Sequence, residues 1–558
     1  MLQIRCKNIN LTRDFPEGVS LLEVFNGFPE LQFKYPVVSA KINNASQGLK
    51  FRVWQSRDVE FLDVTDPSGM RVYTRSLCFV LYKATQDVFP ESRLYIEHSI
   101  SRGYYCNFYT QGVHRPTDED VARIRQRMQE IIDGNMPFRR NETPTEEAVR
   151  IFRERGLNDK VKLLETSDSI YSDYYTLGDT VDYYYGALLP TAGYLKVWGL
   201  ERYENGMLLR IPDPKDPTRL REMVQQPKTF GTFAEYVHWN VIMGMTNVGD
   251  VNHAILDGQA SDMIQVSEAL QEKKIVKIAE EIDRRYRDEK NPCRLVLITG
   301  PSSSGKTTFC KRLSIQLKAC GLKPVSFSTD DYFVNRVDTP KFPDGRYDFE
   351  NIAAVDSETM EKDLAALLRG EKVEIPEYNF KTGLREYNGK KMKLGRNTVL
   401  LIEGIHALNP KLTAQIDDSL KFRIYISTLT SISLDDHNWI PTRDNRLLRR
   451  IIRDYNKGAF TAQQTIAQWP SVCEGEELWI YPYQERADVM FNSAMNIEFA
   501  VLRNHAEPIL SSVPRNCPEY SEAHRLLKFI HYFQPISDKE IPPTSIMREF
   551  VGGSSFKY

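Results

Sequence analysis

Residues 295–317 read LVLITGPSSSGKTTFCKRLSIQL. An apolar run, a Gly/Ser loop and then Phe309, Leu313 and Leu317 on one helical face make strand, loop, helix. The loop, 300–307, fits G-x-x-x-x-G-K-[ST] with Gly300, Gly305, Lys306 and Thr307 in the fixed positions. The glycines let the backbone curl until successive N–H groups and the N-terminus of the next helix face an anion, and the lysine reaches the outer phosphates. Thr307 offers its hydroxyl to Mg²⁺. Gly300, Ser302, Ser303, Ser304, Gly305, Lys306, Thr307 and Thr308 therefore form the candidate ATP-binding loop.

Working outward, further apolar runs at 324–329, 398–402 and 422–427, separated by helical stretches, predict an α/β domain with a parallel sheet covered on both faces. The second run leads into Ser328-Thr329-Asp330-Asp331-Tyr332-Phe333, which places Asp330 at the carboxyl end of a strand, in the ligand crevice. A carboxylate there can take a proton from a substrate hydroxyl or help hold Mg²⁺. Asp331 reads as part of the turn. Glu403 ends the strand in LLIEGI and is a second Mg²⁺ candidate. Arg446, Arg449, Arg450 and Arg453 share one helical face ahead of Lys457-Gly458. They predict a mobile arginine lid, with Arg446 on ATP and Arg449, Arg450 and Arg453 neutralising the transferring phosphate. No N-K-x-D, L-S-G-G, H-R-D or D-F-G run occurs, so guanine reading, transport and protein-kinase chemistry have no motif here.

The remainder of the 558 residues must hold further domains. With 41% hydrophobic and 27% charged residues the composition is that of a globular chain, and a net charge of −2 gives no bulk basic field for nucleic acid or an anionic membrane. Eight scattered cysteines without C-x-x-C pairs read as reduced thiols. No signal pattern or membrane-length apolar run is found, so a cytoplasmic location is the expectation. Residues 1–60 alternate apolar and polar positions as a small α+β module does. A second α+β domain covers 61–225 and includes a charged helix, 118–134, ending at a glycine. Residues 226–290 form a linker, irregular to 260, and then a docking helix with Ile278, Ile282 and Tyr286 on one face. The α/β domain spans 291–505. A C-terminal extension, 506–558, carries one helix around RLLKFI and no readable function.

The C-terminal half resembles the uridine kinase and phosphoribulokinase family across roughly 293–500. GPSSSGKTTF, STDDYF, RYDFENIAAVD (346–356), PEYNFKTGLR (376–385), IEGIHAL and DNRLLRRIIRDYNKG (444–458) carry the likeness. The resemblance implies ATP and Mg²⁺ as cofactors, Asp330 as general base and Asp348 on ribose hydroxyls. It also implies Tyr378 and Arg385 around the acceptor, Glu403 serving the metal, and a hydroxyl of a small nucleoside-like substrate as the phosphate acceptor. Where uridine kinases carry a base-reading histidine this chain has Gly383, which leaves the nucleoside unspecified. A sugar phosphate, pantothenate or glycerate remains an alternative acceptor. A regulator that senses ATP, without catalysis, is the alternative from another class.

The first 225 residues resemble the N-terminal part of threonyl-tRNA synthetase: a TGS-like β-grasp module at 1–60 and an editing-like domain at 61–225. YCNFY (105–109), PFRRNETPTEEAVRIFRERG (137–156) and LPTAG (189–193) carry it. That family's editing site bears H-x-x-x-H and C-x-x-x-H pairs. The matching positions here are Arg75 and Phe79, then Tyr184 and Leu188, so the resemblance implies an inactive editing domain kept for binding or regulation, with RNA or a nucleotide as a candidate ligand. The runs YSDYY (171–175) and DYYYG (182–186) read as base-stacking or core aromatics. A homo-oligomer is compatible with the sequence.

Overall fold

The computed structural model describes residues 1–109, 115–290 and 292–557. In the first unit, strands Leu2–Cys6 and Arg57–Leu62 pair in parallel at the centre of a five-stranded sheet, flanked by Leu11–Phe15 on one side and by Ser39–Ile42 and Ala45–Gly48 on the other. Leu2, Ile4 and Cys6 alternate with exposed Gln3 and Arg5, so one face is core. Helix Leu21–Asn26 covers it, started by a reciprocal Ser20–Glu23 capping box. The last strand runs to Leu62, past the expected boundary at 60.

The second unit packs helix Pro67–Val88 against a four-stranded sheet in the order Gly199–Tyr203, Gly206–Arg210, Gly103–Tyr109, Arg93–Ile100, and against a three-stranded sheet, Phe138–Pro144, Tyr171–Leu177, Thr180–Asp182. Helix Asp118–Asp133 stops at Gly134. Tyr175, Tyr183 and Tyr184 lie in the core, whereas Tyr171 is exposed.

Residues 226–260 differ from the irregular linker that the sequence suggests: they hold helices Pro227–Ile242 and Val248–Leu256. Of the first, Phe233 and Asn240 alone are buried while Val241 and Ile242 face out, so no amphipathic period marks it. Helix Ala260–Tyr286 then lays Ile275, Ile278, Ala279 and Ile282 against Phe309, Leu313 and Leu317 of the phosphate-loop helix.

The third unit is built on a five-stranded, all-parallel sheet in the order Lys323–Ser328, Thr398–Glu403, Leu295–Thr299, Lys421–Ser427, Val489–Asn492. Helix Glu498–Ser511 runs straight through the expected boundary at 505. Helix Tyr520–Ile530 and the turn Arg548–Val551 pack back onto the unit, so the extension belongs to its core. Among the described residues no helix is long and apolar enough to cross a membrane, and all eight cysteines are free thiols.

A buried ion cluster joins the second and third units. Lys160 Nζ lies 3.0 Å from Asp159, 3.2 Å from Asp182 and 3.4 Å from Asp435, all fully buried, and His437 Nδ1 lies 2.9 Å from Asp182. Against the cost of burial, Lys160 pulls Asp159 down and His437 with Lys160 pulls Asp182 down, whereas at Asp435 burial wins and the carboxyl is raised. Lys160→Ala should cost about 3–5 kcal/mol of stability, because it strands several buried acids at once. A denaturation midpoint matching the wild type would show the cluster to be indifferent to its cation.

Candidate active site

The loop between Thr299 and Lys306 curls because Ser303 (φ +60°) and Gly305 (φ +83°) adopt left-handed backbone conformations. That curl leaves the buried hydroxyls of Ser303 and Ser304 without a partner among the described residues, while the Ser302 amide donates to Glu476 Oε1 at 3.2 Å. Lys306 folds back to donate from Nζ to the Pro301 carbonyl at 3.0 Å. Burial pushes its ammonium down, against the pull of Glu403, Asp330, Glu549 and Glu350.

Those acids come from adjacent strand ends. Strand pairing sets Glu403 beside Ser328 on one side and Ile298 on the other, which brings the loop, Glu403 and Asp330 to one edge of the sheet. Thr307 Oγ1 donates to Glu403 Oε1 at 3.3 Å. Glu403 is pushed up to about 7, by burial first and then by Asp330. Burial also raises Asp330, helped by Asp331 and opposed by Lys306. Ser328 Oγ accepts from the Asp330 amide at 3.2 Å, and Asp331 closes the box by accepting from the Ser328 amide at 3.1 Å. Asp331 thus fixes the turn, and Asp330 stays free to face the lysine.

The arginines are not the mobile lid that their spacing suggests. Helix Thr442–Asn456 is packed into the domain, and Arg446 and Arg449 are fully buried. Arg446 pairs with both oxygens of Glu476 and Arg449 with both of Glu498. Their remaining donors reach the back of the loop: Arg446 Nη1 to the Ser302 carbonyl at 3.1 Å, Arg449 Nη1 to the Ser303 carbonyl at 3.3 Å. Arg450 Nη1 donates to Ser302 Oγ at 3.1 Å, and Arg453 turns to Asp454. Paired so, Arg446 and Arg449 buttress the loop.

Around the acceptor side, Asp348 is half-buried and accepts from Asn351. Tyr378 is buried against Phe333 and Phe380 with its hydroxyl unpartnered. Arg385 donates to Asp356 at 2.8 Å. Gly383 sits at φ +75° in the turn joining Glu377–Asn379 to Leu384–Glu386, and a Cβ there would come within 2.8 Å of the Arg336 side chain. A histidine there would be strained by the backbone and would have to displace Arg336.

Two carboxylates escaped sequence reading. Glu350 is pushed up to about 7, mainly by burial, beside Arg450, Lys306 and Asp330; it lies within RYDFENIAAVD and had a signal. Glu549 had none. Its carboxylate accepts from the Thr308 amide at 3.2 Å and from Thr308 Oγ1 at 2.6 Å, while Ile546 covers Gly305 and Phe550 lies 4.8 Å from the Arg449 guanidinium.

In the second unit the four positions singled out by resemblance do meet. Phe79 packs on Tyr184 with centroids 5.5 Å apart, Leu188 is buried in the same cluster, and Arg75 bonds the Ala187 carbonyl. Apolar rings fill the space, and among the described residues no group of three or more His, Cys, Asp and Glu is set to hold a metal ion.

Residues 295–498 match the phosphoribulokinase / uridine kinase family. The N-terminal region is similar to threonine–tRNA ligases: the protein from Syntrophomonas wolfei is 34% identical over 198 residues, 35% of this chain and 30% of that protein, and the one from Syntrophotalea carbinolica 29% over 194 residues, 32% and 30%. The chain thus spans under a third of the length of these relatives. Among solved structures, a possible uridine kinase from Bacillus stearothermophilus aligns at 20% identity and TM-score 0.28, covering 39% of this chain and 98% of that one. A D-glycerate 3-kinase from Cryptococcus neoformans aligns at 13% and 0.21, covering 46% and 87%. The C-terminal region carries a P-loop kinase fold, and two α+β units related to the synthetase's TGS and editing region precede it.

Proposed function

We propose that the chain transfers the γ-phosphate of ATP to a hydroxyl of a nucleoside-like small molecule. The observation that carries this reading is the convergence of Lys306, Asp330 and Glu403 at one sheet edge beside the curled loop. The unpartnered Ser303 and Ser304 hydroxyls and the Thr307–Glu403 pair suit a nucleotide phosphate and its Mg²⁺. Thr307, Glu403 and Asp330 would hold the ion, which when bound neutralises phosphate charge. Asp330 takes the acceptor's proton as that oxygen bonds to the γ-phosphorus and the bond to the β-phosphate oxygen breaks, leaving ADP. Lys306 draws charge off the transferring group, and Arg450, which bonds Ser302 Oγ of the loop, adds to it. Asp348, Tyr378 and Arg385 surround the acceptor. The test is Mg·ATP with a panel of nucleosides, ribulose 5-phosphate, pantothenate and glycerate, scored by ADP release and by the phosphorylated product. Absence of any phosphorylated product from a nucleoside would sink the assignment.

Arg336 favours a second reading. Its guanidinium occupies the space next to Gly383, so an acceptor bearing its own anionic group, such as a sugar phosphate, would find a partner there. On that reading Arg336→Ala raises KM for the anionic acceptor about tenfold or more and leaves neutral nucleosides untouched.

Glu549 bears on nucleotide affinity under either reading. Its charge sits on the Thr308 amide, at the N-terminus of the loop helix, where a phosphate is best held. Glu549→Gln should tighten nucleotide binding about tenfold by removing a competing anion. An unchanged dissociation constant by titration would show that phosphate does not reach this amide.

A further inference from the structure

A cleft of about 880 Å³, the size of a small-ligand site, lies between the first sheet, the second unit and helix Tyr520–Ile530. Eight lysines and arginines line it against two carboxylates, Glu142 and Asp173. Three of these cations are paired with carboxylates. Arg140 holds Asp173 at 2.7 Å, Arg71 pairs with Glu522, and Arg525 with Asp444 and Glu522. The other five meet no carboxylate in the ion pairs and hydrogen bonds of the described residues. Arg52 donates to the Gly18 carbonyl at 2.7 Å, Arg75 to the Ala187 carbonyl at 3.0 and 3.2 Å and Lys50 to the Phe138 carbonyl at 2.9 Å, and the heads of Arg139 and Lys528 are unbonded among the described residues.

Unpaired cations brought together in a recess repel one another and lose hydration, and both costs vanish when an anion enters. Crowding acts on their charge: burial pushes Arg75 and Lys50 down, with neighbouring arginines adding to the effect for each. The wall also offers aromatic surface: the Arg75 guanidinium lies 5.8 Å from the Tyr185 ring centroid, and the lining includes Tyr175 and the exposed Trp54. The chain as a whole is slightly acidic, so this positive charge is confined to a recess and not spread over a face. Confinement suits a compact phosphate group better than a strand's backbone.

We infer that this cleft binds a phosphorylated small molecule of the mononucleotide class, its phosphate held by Arg75 and Lys528 and its flat ring lying on Tyr185. The inference does not rest on the kinase reading. The test is calorimetric titration of the full chain with AMP and with inorganic phosphate, the phosphate loop first saturated with a non-hydrolysable ATP analogue and Mg²⁺. One further site is expected for each probe, weakened about tenfold or more by Lys528→Gln and by Arg75→Gln. Lys528 is exposed and makes no bond, so its variant keeps the test decisive if Arg75→Gln fails to fold. Absence of a further site, binding indifferent to Lys528→Gln, or binding of a single-stranded RNA that neither AMP nor phosphate displaces would each overturn it.

Discussion

Lys306→Ala is expected to lower phosphoryl transfer by about 10³-fold or more and to weaken nucleotide binding about 100-fold, with the protein still folded. The loss follows from what Lys306 touches. Among the described residues its one side-chain hydrogen bond is to the Pro301 carbonyl, and it faces Glu403, Asp330, Glu549 and Glu350, so on the proposed reading it is the cation that meets the transferring phosphate. Removing it leaves acids facing acids, which raises the question of folding. Glu403 and Glu350 answer it: both are pushed up to about 7, so near neutral pH each takes a proton readily. Local repulsion is thereby discharged by protonation. The measurements are the initial rate of ADP release, nucleotide affinity and the unfolding midpoint of the same variant. Wild-type turnover would remove the kinase assignment altogether.

Glu403 was legible in the sequence for a physical reason: strand Thr398–Glu403, buried along its length, reads as a continuous apolar run whose carboxyl end can be located to the residue, whereas Asp330 follows an edge strand in which Phe327 alone is buried and was marked by the run STDDYF itself. The fifth strand, Val489–Asn492, is four residues long and left no such run. The arginines show the limit of periodicity. Spacing of three and four says that Arg446 and Arg449 share a side of their helix, but the side is decided by Glu476 and Glu498, 30 and 49 residues further along. With those carboxylates buried opposite, the guanidinium groups fold inward and brace the loop. Glu549 lies 241 residues from Thr308, a separation at which no local pattern carries information. In the second unit Arg75, Phe79, Tyr184 and Leu188 were singled out by resemblance alone, and their packing together is what that resemblance implied.

Asp330→Asn should separate catalysis from ATP sensing. The substitution keeps the side chain's shape and leaves its amide on Ser328 Oγ, so the capped turn survives. It removes the negative charge and the basic lone pair. Burial already holds this carboxylate above its ordinary range, with Asp331 adding and Lys306 opposing. A raised carboxylate is a stronger proton acceptor and a better match to a general base's task near neutral pH. Transfer should therefore fall by about 10² to 10⁴, with any share in holding Mg²⁺ adding to the loss. Nucleotide affinity should stay within a few-fold of wild type, because the loop amides and Lys306 are untouched. The two titrations are run on one preparation, nucleotide binding and acceptor phosphorylation side by side. Undiminished transfer would exclude Asp330 as the base. Loss of both together would mean that the turn had collapsed, which the unfolding midpoint would confirm. Affinity kept and transfer lost is the one outcome that a sensor without catalysis does not produce, since such a protein has no use for a base facing the lysine of the loop.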